Sequence, residues 1–341
     1  MNNKNCFDFL RIFFCANILF SHLAELSQSK SLAFIFSYVN ASLGVQGFFV
    51  ISGFLVAKSY TNTPSLKQYF IKRAKRILPA YFFVILSSTI VLSVFSSYNY
   101  SDYFSNISTY KYFGWNLIFM NFVHPCLPGL FDNNLLCAVN GALWTLKVEE
   151  GFYVVLPLIF YIIAKSKKPT LILATIYILS LIYWFVMQFY FNKPLFAKQL
   201  PGYLSYFAVG IFLFLNFKSF LKHKSKFLIL SIAAITVSSI FPQNFDILYP
   251  AAFGSIVLLA AYNLPFLNNF GKYGDFTYGL YIFHFPIIQL FRFYNLFERF
   301  NPFLMAIFII IITFIFALFS WFFIEKRFLD RYKSLDKTVL T

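Results

Sequence analysis

Charge is what this sequence has least of. Only 12% of its 341 residues are Asp, Glu, Lys or Arg, about half of the roughly 25% usual in a water-soluble domain. A chain so poor in polar surface cannot stay dissolved as a globule, so a soluble enzyme or binding module is excluded. Four cysteines are too few for a disulfide-stapled miniprotein, and no Cys and His spacing of a metal site occurs. With Gly and Pro at 13 each, collagen-like and low-complexity architectures are excluded as well. No internal repeat stands out.

What is abundant is apolar. Hydrophobic residues make up 60% and aromatic residues 23% of the chain, with a mean hydropathy of +0.70. This composition describes an all-α polytopic membrane bundle. A helix needs roughly 20 apolar residues to cross the hydrocarbon core, and ten segments of about that size are expected to be helical spans: 7–26, 39–60, 77–97, 144–164, 170–191, 203–220, 227–241, 248–264, 273–293 and 303–324. The stretch 115–123 is too short to span and reads as interfacial or re-entrant. The net charge of +16, which in a soluble protein would suggest nucleic acid, is read here as a topology signal, and no nucleic-acid partner is expected. With both termini cytoplasmic, most basic residues fall inside, at Lys4, Lys58, the run at 67–76, Lys165, Lys167, Lys168, the cluster at 218–226, Lys272 and the tail with Lys326, Arg327, Arg331, Lys333 and Lys337, as the positive-inside rule requires. The expected organisation is a single transmembrane domain over 1–341 with a long outer loop at 98–143 and no attached soluble domain. Cys126 and Cys137 share that loop, where they are either a disulfide or two free thiols.

Ionisable side chains inside a span are costly and point to function or to pairing within the bundle. The first span holds Arg11 and His22. They are eleven positions apart, about three turns and roughly 16 Å along one helix face. A site with a neutral-pH base at one end fits that spacing; so does snorkelling of both side chains to opposite interfaces. The fourth span opens with Trp144, Thr145, Leu146, Lys147, Val148, Glu149, Glu150, Gly151, Phe152 and Tyr153. Its carboxylates, Glu149 and Glu150, either favour the helix N-terminus, or one of them orients and stabilises the imidazole of His22. In the basic loop after the second span, Arg73 and Arg76 stand three apart. They either anchor the chain to anionic lipid or clamp the phosphates of a nucleotide-bearing donor. Gly44, Gly47 and Gly53 of the second span primarily suggest close helix packing. His284, in an aromatic helix ahead of Pro286, reads first as a hydrogen-bonded structural histidine.

In order along the chain, these blocks resemble the acyltransferase-3 family of membrane acyltransferases. Phe7, Asp8, Phe9, Leu10 and Arg11 with His22 are similar to the family's opening helix. Phe48, Phe49, Ser52, Gly53 and Phe54 resemble its second block, and Arg73 with Arg76 before Ile77, Leu78 and Pro79 its basic loop. Trp144, Thr145 and Leu146 with Glu149, Glu150, Gly151, Phe152 and Tyr153 resemble its fourth-span block. Tyr281, Ile282, Phe283, His284, Phe285 and Pro286, then Ile324 and Glu325, resemble the closing blocks. Departures are Gln46 where many relatives have Asp, Gly151 for a usual Gln, and Lys326 with Arg327 for Arg-Pro.

The resemblance implies transfer of an acyl group, most often acetyl from cytoplasmic acetyl-CoA, to a hydroxyl of a bacterial surface or lipid-linked polysaccharide of O-antigen or capsule type, in the cytoplasmic (inner) membrane. Acetyl-CoA is then the acyl-donor substrate, and no bound cofactor or metal is expected. His22 is the expected general base, assisted by Glu149, with Arg11 near the donor and Arg73 and Arg76 on the CoA phosphates. Asp8, Ser52, Gly53, Trp144, Glu150, Tyr153, His284 and Glu325 are the expected supporting residues. Direct transfer and an acyl-enzyme both stay open. The other readings are the same fold with a succinyl or other acyl donor or a small-molecule acceptor, and a glycan or lipid transporter in which Arg11, His22 and Glu149 bind the cargo.

Overall fold

The computed structural model describes residues 5–240, 247–268 and 270–329. The ends of the basic tally at Lys4, Arg331, Lys333 and Lys337, and Phe241 at the end of the seventh expected span, lie outside the described residues. In chain order the helices are α1 (Phe7–Ser27), α2 (Ala41–Thr61), α3 (Leu66–Val91), α4 (Tyr100–Ser105), α5 (Ile107–Leu117), α6 (Trp144–Ser166), α7 (Pro169–Phe185), α8 (Pro194–Ala197), α9 (Leu200–Leu215), α10 (Phe217–Lys222), α11 (Lys224–Ile240), α12 (Tyr249–Asn263), α13 (Thr277–Phe293), α14 (Leu296–Arg299), α15 (Pro302–Phe319) and α16 (Lys326–Phe328). No strand occurs among the described residues. The all-helical expectation therefore holds.

All ten expected segments fall on helices, but the described residues contain only five helices, or up to six, that are long and apolar enough to cross a membrane. The rest fall short for two reasons. Helices α9, α11, α12 and α13 have 16, 17, 15 and 17 residues, which at about 1.5 Å per residue is shorter than a hydrocarbon core of about 30 Å. Helix α6 is long enough but includes Lys147, Glu149, Glu150 and Lys165. A second difference concerns the basic loop. Residues 67–76 are helical, because α3 begins at Leu66 and runs unbroken through Pro79. Lys and Arg are good helix formers, so the cationic run extends the helix.

The chain divides into two compact units. One comprises Met1–Phe14, Leu43–Phe70 and Val148–Lys272. In it α9 packs against α7 and α12, and α11 against α12. Glycine sets how closely α2 meets α9: a Cβ on Gly53 would stand 2.2 Å from the Phe207 carbonyl oxygen, and one on Gly210 2.3 Å from that of Val50. Beside this crossing Phe152 stacks on Phe207 with centroids 4.5 Å apart.

The other unit comprises Cys15–Ser42, Ile71–Lys147 and Tyr273–Thr341. Its α13 packs along α15 and is strapped by the segment before α6. There Gln289, fully buried, donates to the carbonyls of Leu136 and Ala138 at 2.7 and 2.8 Å. The segment 98–143 forms α4 and α5 and a disulfide between Cys126 and Cys137, with Cα atoms 5.3 Å apart.

Two helices with an internal proline share one device. Proline has no N–H for the carbonyl four residues back. In α6, Pro157 leaves the Tyr153 carbonyl without its helix donor, and the Tyr69 hydroxyl donates there at 3.0 Å. In α13, Pro286 does the same to Ile282, whose carbonyl accepts from the Asn140 side-chain amide at 2.7 Å.

Candidate functional site

His22 stands in the C-terminal part of α1, half-buried, and His284 is fully buried in the middle of α13. Both belong to the second unit. Nδ1 of His22 is 2.8 Å from Nε2 of His284, within hydrogen-bond distance. The ring planes are 7° apart and the centroids 5.1 Å. That separation is the nitrogen-to-nitrogen distance plus one ring radius on each side, so the bond lies along the line of centres and in the plane of both rings. Nδ1 of His284 lies 3.2 Å from the Leu280 carbonyl oxygen of its own helix.

The pair is seated by aromatic packing. Phe285 makes a T-shaped contact with His22, centroids 5.3 Å apart, and Gly141 admits that ring, since a Cβ there would stand 2.6 Å from Phe285 Cζ. One turn before His284, the Tyr281 hydroxyl donates to the Ala142 carbonyl at 2.9 Å and meets the Thr145 hydroxyl. With Asn140 on the Ile282 carbonyl, the start of α6 and its preceding turn fix the helix that holds His284.

The same unit contains Arg73 and Arg76 on α3, together with Trp144 and Glu325. Arg76 makes a salt bridge to Asp275, Nη2 to Oδ2 2.6 Å, with side chains 17% and 13% exposed. Asp275 was not legible as a partner in the sequence. Its one signal is scarcity, because each of 12 acidic residues in a +16 chain is a candidate for pairing. Glu325, buried, accepts from the Ser320 hydroxyl at 2.8 Å within a wide helical turn that continues α15.

The remaining expected residues belong to the first unit. Glu149 accepts from the Ser52 hydroxyl at 3.4 Å and, by a short bond, from the Tyr153 hydroxyl one turn along α6. The structure thus joins three expected residues, Ser52, Glu149 and Tyr153, in one cluster. Gly53 is a packing residue at the crossing of α2 and α9. Asp8 sits in the first turn of α1, where the macrodipole favours a carboxylate. Its Oδ2 lies against the backbone of Gly271, 2.1 Å from where a Cβ would stand. Arg11 lies on α1 and Glu150 on α6. At Gly151 the space of the missing side chain is filled by Leu200, whose Cδ1 would be 2.1 Å from a Cβ.

The histidine that His22 meets is 262 positions away. No local pattern announces such a pairing. The buried Gln289 and the prolines' capping partners, Tyr69 and Asn140, likewise meet partners far away in the sequence.

Comparison with known proteins finds relatives along most of the chain. The chain is 27% identical over 316 residues to "Nodulation protein 10" of Rhizobium leguminosarum bv. viciae, covering 84% of this chain and 83% of that protein. It is 27% identical over 343 residues to an "O-acetyl transferase" of Shigella phage Sf6, covering 97% and 98%. With "Peptidoglycan O-acetyltransferase OatA" of Listeria monocytogenes it shares 26% identity over 293 residues, 73% of this chain but 45% of that longer protein. No solved structure matches. A family profile described as an acyltransferase domain matches residues 4–322, a range that takes in both histidines, both arginines of α3 and the Ser52, Glu149 and Tyr153 cluster, so this membrane chain belongs to the acyltransferase-3 family and is an acyltransferase.

Proposed function

We propose that this chain is a multi-pass O-acetyltransferase of the bacterial cytoplasmic membrane, a single domain of ten spans with both termini inside. It moves acetyl from cytoplasmic acetyl-CoA to a hydroxyl of a surface or lipid-linked polysaccharide. The observation that carries this reading is the His22–His284 hydrogen bond in the same compact unit as Arg73 and Arg76. A positioned imidazole is the usual side chain for taking a hydroxyl proton near neutral pH, and guanidinium groups suit the phosphates of CoA. The names of the phage and Listeria relatives favour acetyl as the group and a glycan as the class of acceptor.

In this mechanism the His22 imidazole accepts the proton of the acceptor hydroxyl as its oxygen attacks the thioester carbonyl. The carbon to oxygen ester bond forms, the carbon to sulfur bond breaks, and the departing CoA thiolate recovers the proton from His22. Arg73 and Arg76 hold the phosphates, with Asp275 fixing the Arg76 guanidinium. Arg11 and Glu149 are proposed as further catalytic residues, and Asp8, Ser52, Trp144, Glu150, Tyr153 and Glu325 as supporting ones. Glu149→Gln and Arg11→Ala measure their share in the same assay.

The test is mass spectrometry of surface glycans from cells expressing the native chain or His22→Ala at equal membrane abundance. Acetyl mass increments removed by mild alkali are expected with the native chain and absent with the variant. Identical glycan masses in both would reject O-acetylation of that glycan.

A further inference from the structure

We infer that His284 is a positioning residue that sets which nitrogen of His22 carries the proton. The inference rests on His22 being the base, as argued above, and goes further in assigning the reacting atom. It starts from a group with no choice. A backbone carbonyl only accepts hydrogen bonds, so Nδ1 of His284, 3.2 Å from the Leu280 carbonyl oxygen, bears a hydrogen. A neutral imidazole has one N–H, so Nε2 of His284 is an acceptor. The atom facing it at 2.8 Å is Nδ1 of His22, which therefore donates. A neutral His22 then has its lone pair on Nε2.

The chain of assignments runs from a helix carbonyl through two rings to one nitrogen. Each ring is held where the logic needs it. The helix around His284 is fixed by the Asn140 amide on the Ile282 carbonyl and by the Tyr281 hydroxyl on the Ala142 carbonyl, and Phe285 packs against His22 in a T-shaped contact. Without an acceptor at position 284, His22 would populate both tautomers, and only the one with a bare Nε2 would be competent. This is the role an orienting group plays for a catalytic imidazole, where a wrong tautomer alone costs orders of magnitude in turnover. When Nε2 of His22 takes the hydroxyl proton, Nδ1 keeps its own and continues to donate to His284. No proton needs to leave the pair before the thiolate takes one back.

The decisive experiment reads the tautomer without turnover. Chain labelled with nitrogen-15 at histidine is reconstituted in lipid, and imidazole nitrogen shifts are recorded by solid-state NMR, with His22→Asn assigning the His22 resonances. The rings of His22 and His284 are both expected to carry hydrogen on Nδ1 and none on Nε2. A His22 with hydrogen on Nε2, or an even mixture, overturns the inference whatever the enzyme acetylates.

Two variants give the kinetic counterpart. His284→Phe removes the acceptor and is expected to lower kcat by roughly ten- to a thousandfold with the KM for acetyl-CoA little changed. His284→Gln keeps an acceptor oxygen and is expected to recover much of that loss. Equal losses in both, with the membrane abundance of the native chain, would make position 284 a matter of packing and overturn the proposal. If the tautomers are as stated but no alkali-labile ester depends on His22, the proposed function fails and the assignment of protons stands.

Discussion

The guanidinium of Arg76 and the carboxylate of Asp275 meet at 2.6 Å with little exposure. Removing one partner of a fully buried pair costs about 3–5 kcal/mol because the other charge is stranded. Here the residual exposure lets water offset part of that, and about 2–3 kcal/mol is expected. In detergent micelles Asp275→Asn and Arg76→Gln should each lower the thermal midpoint, and the double variant should fall no further than the worse single one. If Arg76 also holds CoA phosphates, Arg76→Gln should raise the KM for acetyl-CoA more than Asp275→Asn does; equal effects would leave it a purely structural partner.

Cys6 makes a second residue-scale prediction. Its thiol is buried and donates to the Ala260 carbonyl, and burial pushes its pKa up. The thiolate is the reactive form. Raising the pH through the ordinary thiol range should therefore leave Cys6 unalkylated in the folded chain while unfolded chain reacts, and mass spectrometry after iodoacetamide reads the difference. Alkylation of the native chain at pH 8 would contradict the burial.

At the scale of elements, the proline caps can be separated from ordinary polar contacts. Asn140→Ala leaves the Ile282 carbonyl buried without a donor, at a cost of about 1–3 kcal/mol. In a Pro286→Ala background the helix regains its own N–H for that carbonyl, so the same Asn140→Ala change should cost much less. A thermal-unfolding double-mutant cycle measures the coupling, and additive losses would refute the capping role. Gly53→Ala belongs to the same scale. The Cβ would meet backbone, not a flexible side chain, so α2 and α9 must part and about 1–3 kcal/mol should be lost.

These elements also mark how far the sequence could be read. Helix α1, with Arg11 and His22 on it, was legible because hydropathy and the 3.6-residue period are local properties. The start of α3 was not, because a cationic run between apolar segments looks like a loop although its residues favour helix. The Ser52 to Glu149 contact spans 97 positions and the His22 to His284 contact 262. Both depend on how distant helices are set side by side, which no periodicity encodes. What fills the place of a side chain at Gly151 is Leu200, a contact 49 positions away that no local pattern encodes.

For the molecule as a whole, the count of spans is the sharpest consequence of the charge distribution. Helix α6 decides it, because it is long enough to cross but carries Lys147, Glu149, Glu150 and Lys165. Three of these charges lie in its first two turns and the fourth near its end, so the middle, from Gly151 to Ala164, is free of charge. Charges at both ends of an apolar centre match a span whose polar termini reach the two interfaces or face protein. If α6 crosses, Cys137 before it and Lys168 after it lie on opposite sides, and both positions are exposed. In spheroplasts treated with a reductant and a membrane-impermeant maleimide, Cys137 should be labelled from outside. A cysteine placed by Lys168→Cys should react only after the membrane is permeabilised. Labelling of both from outside would put α6 on one side of the bilayer, and the ten-span topology with two cytoplasmic termini would fall with it.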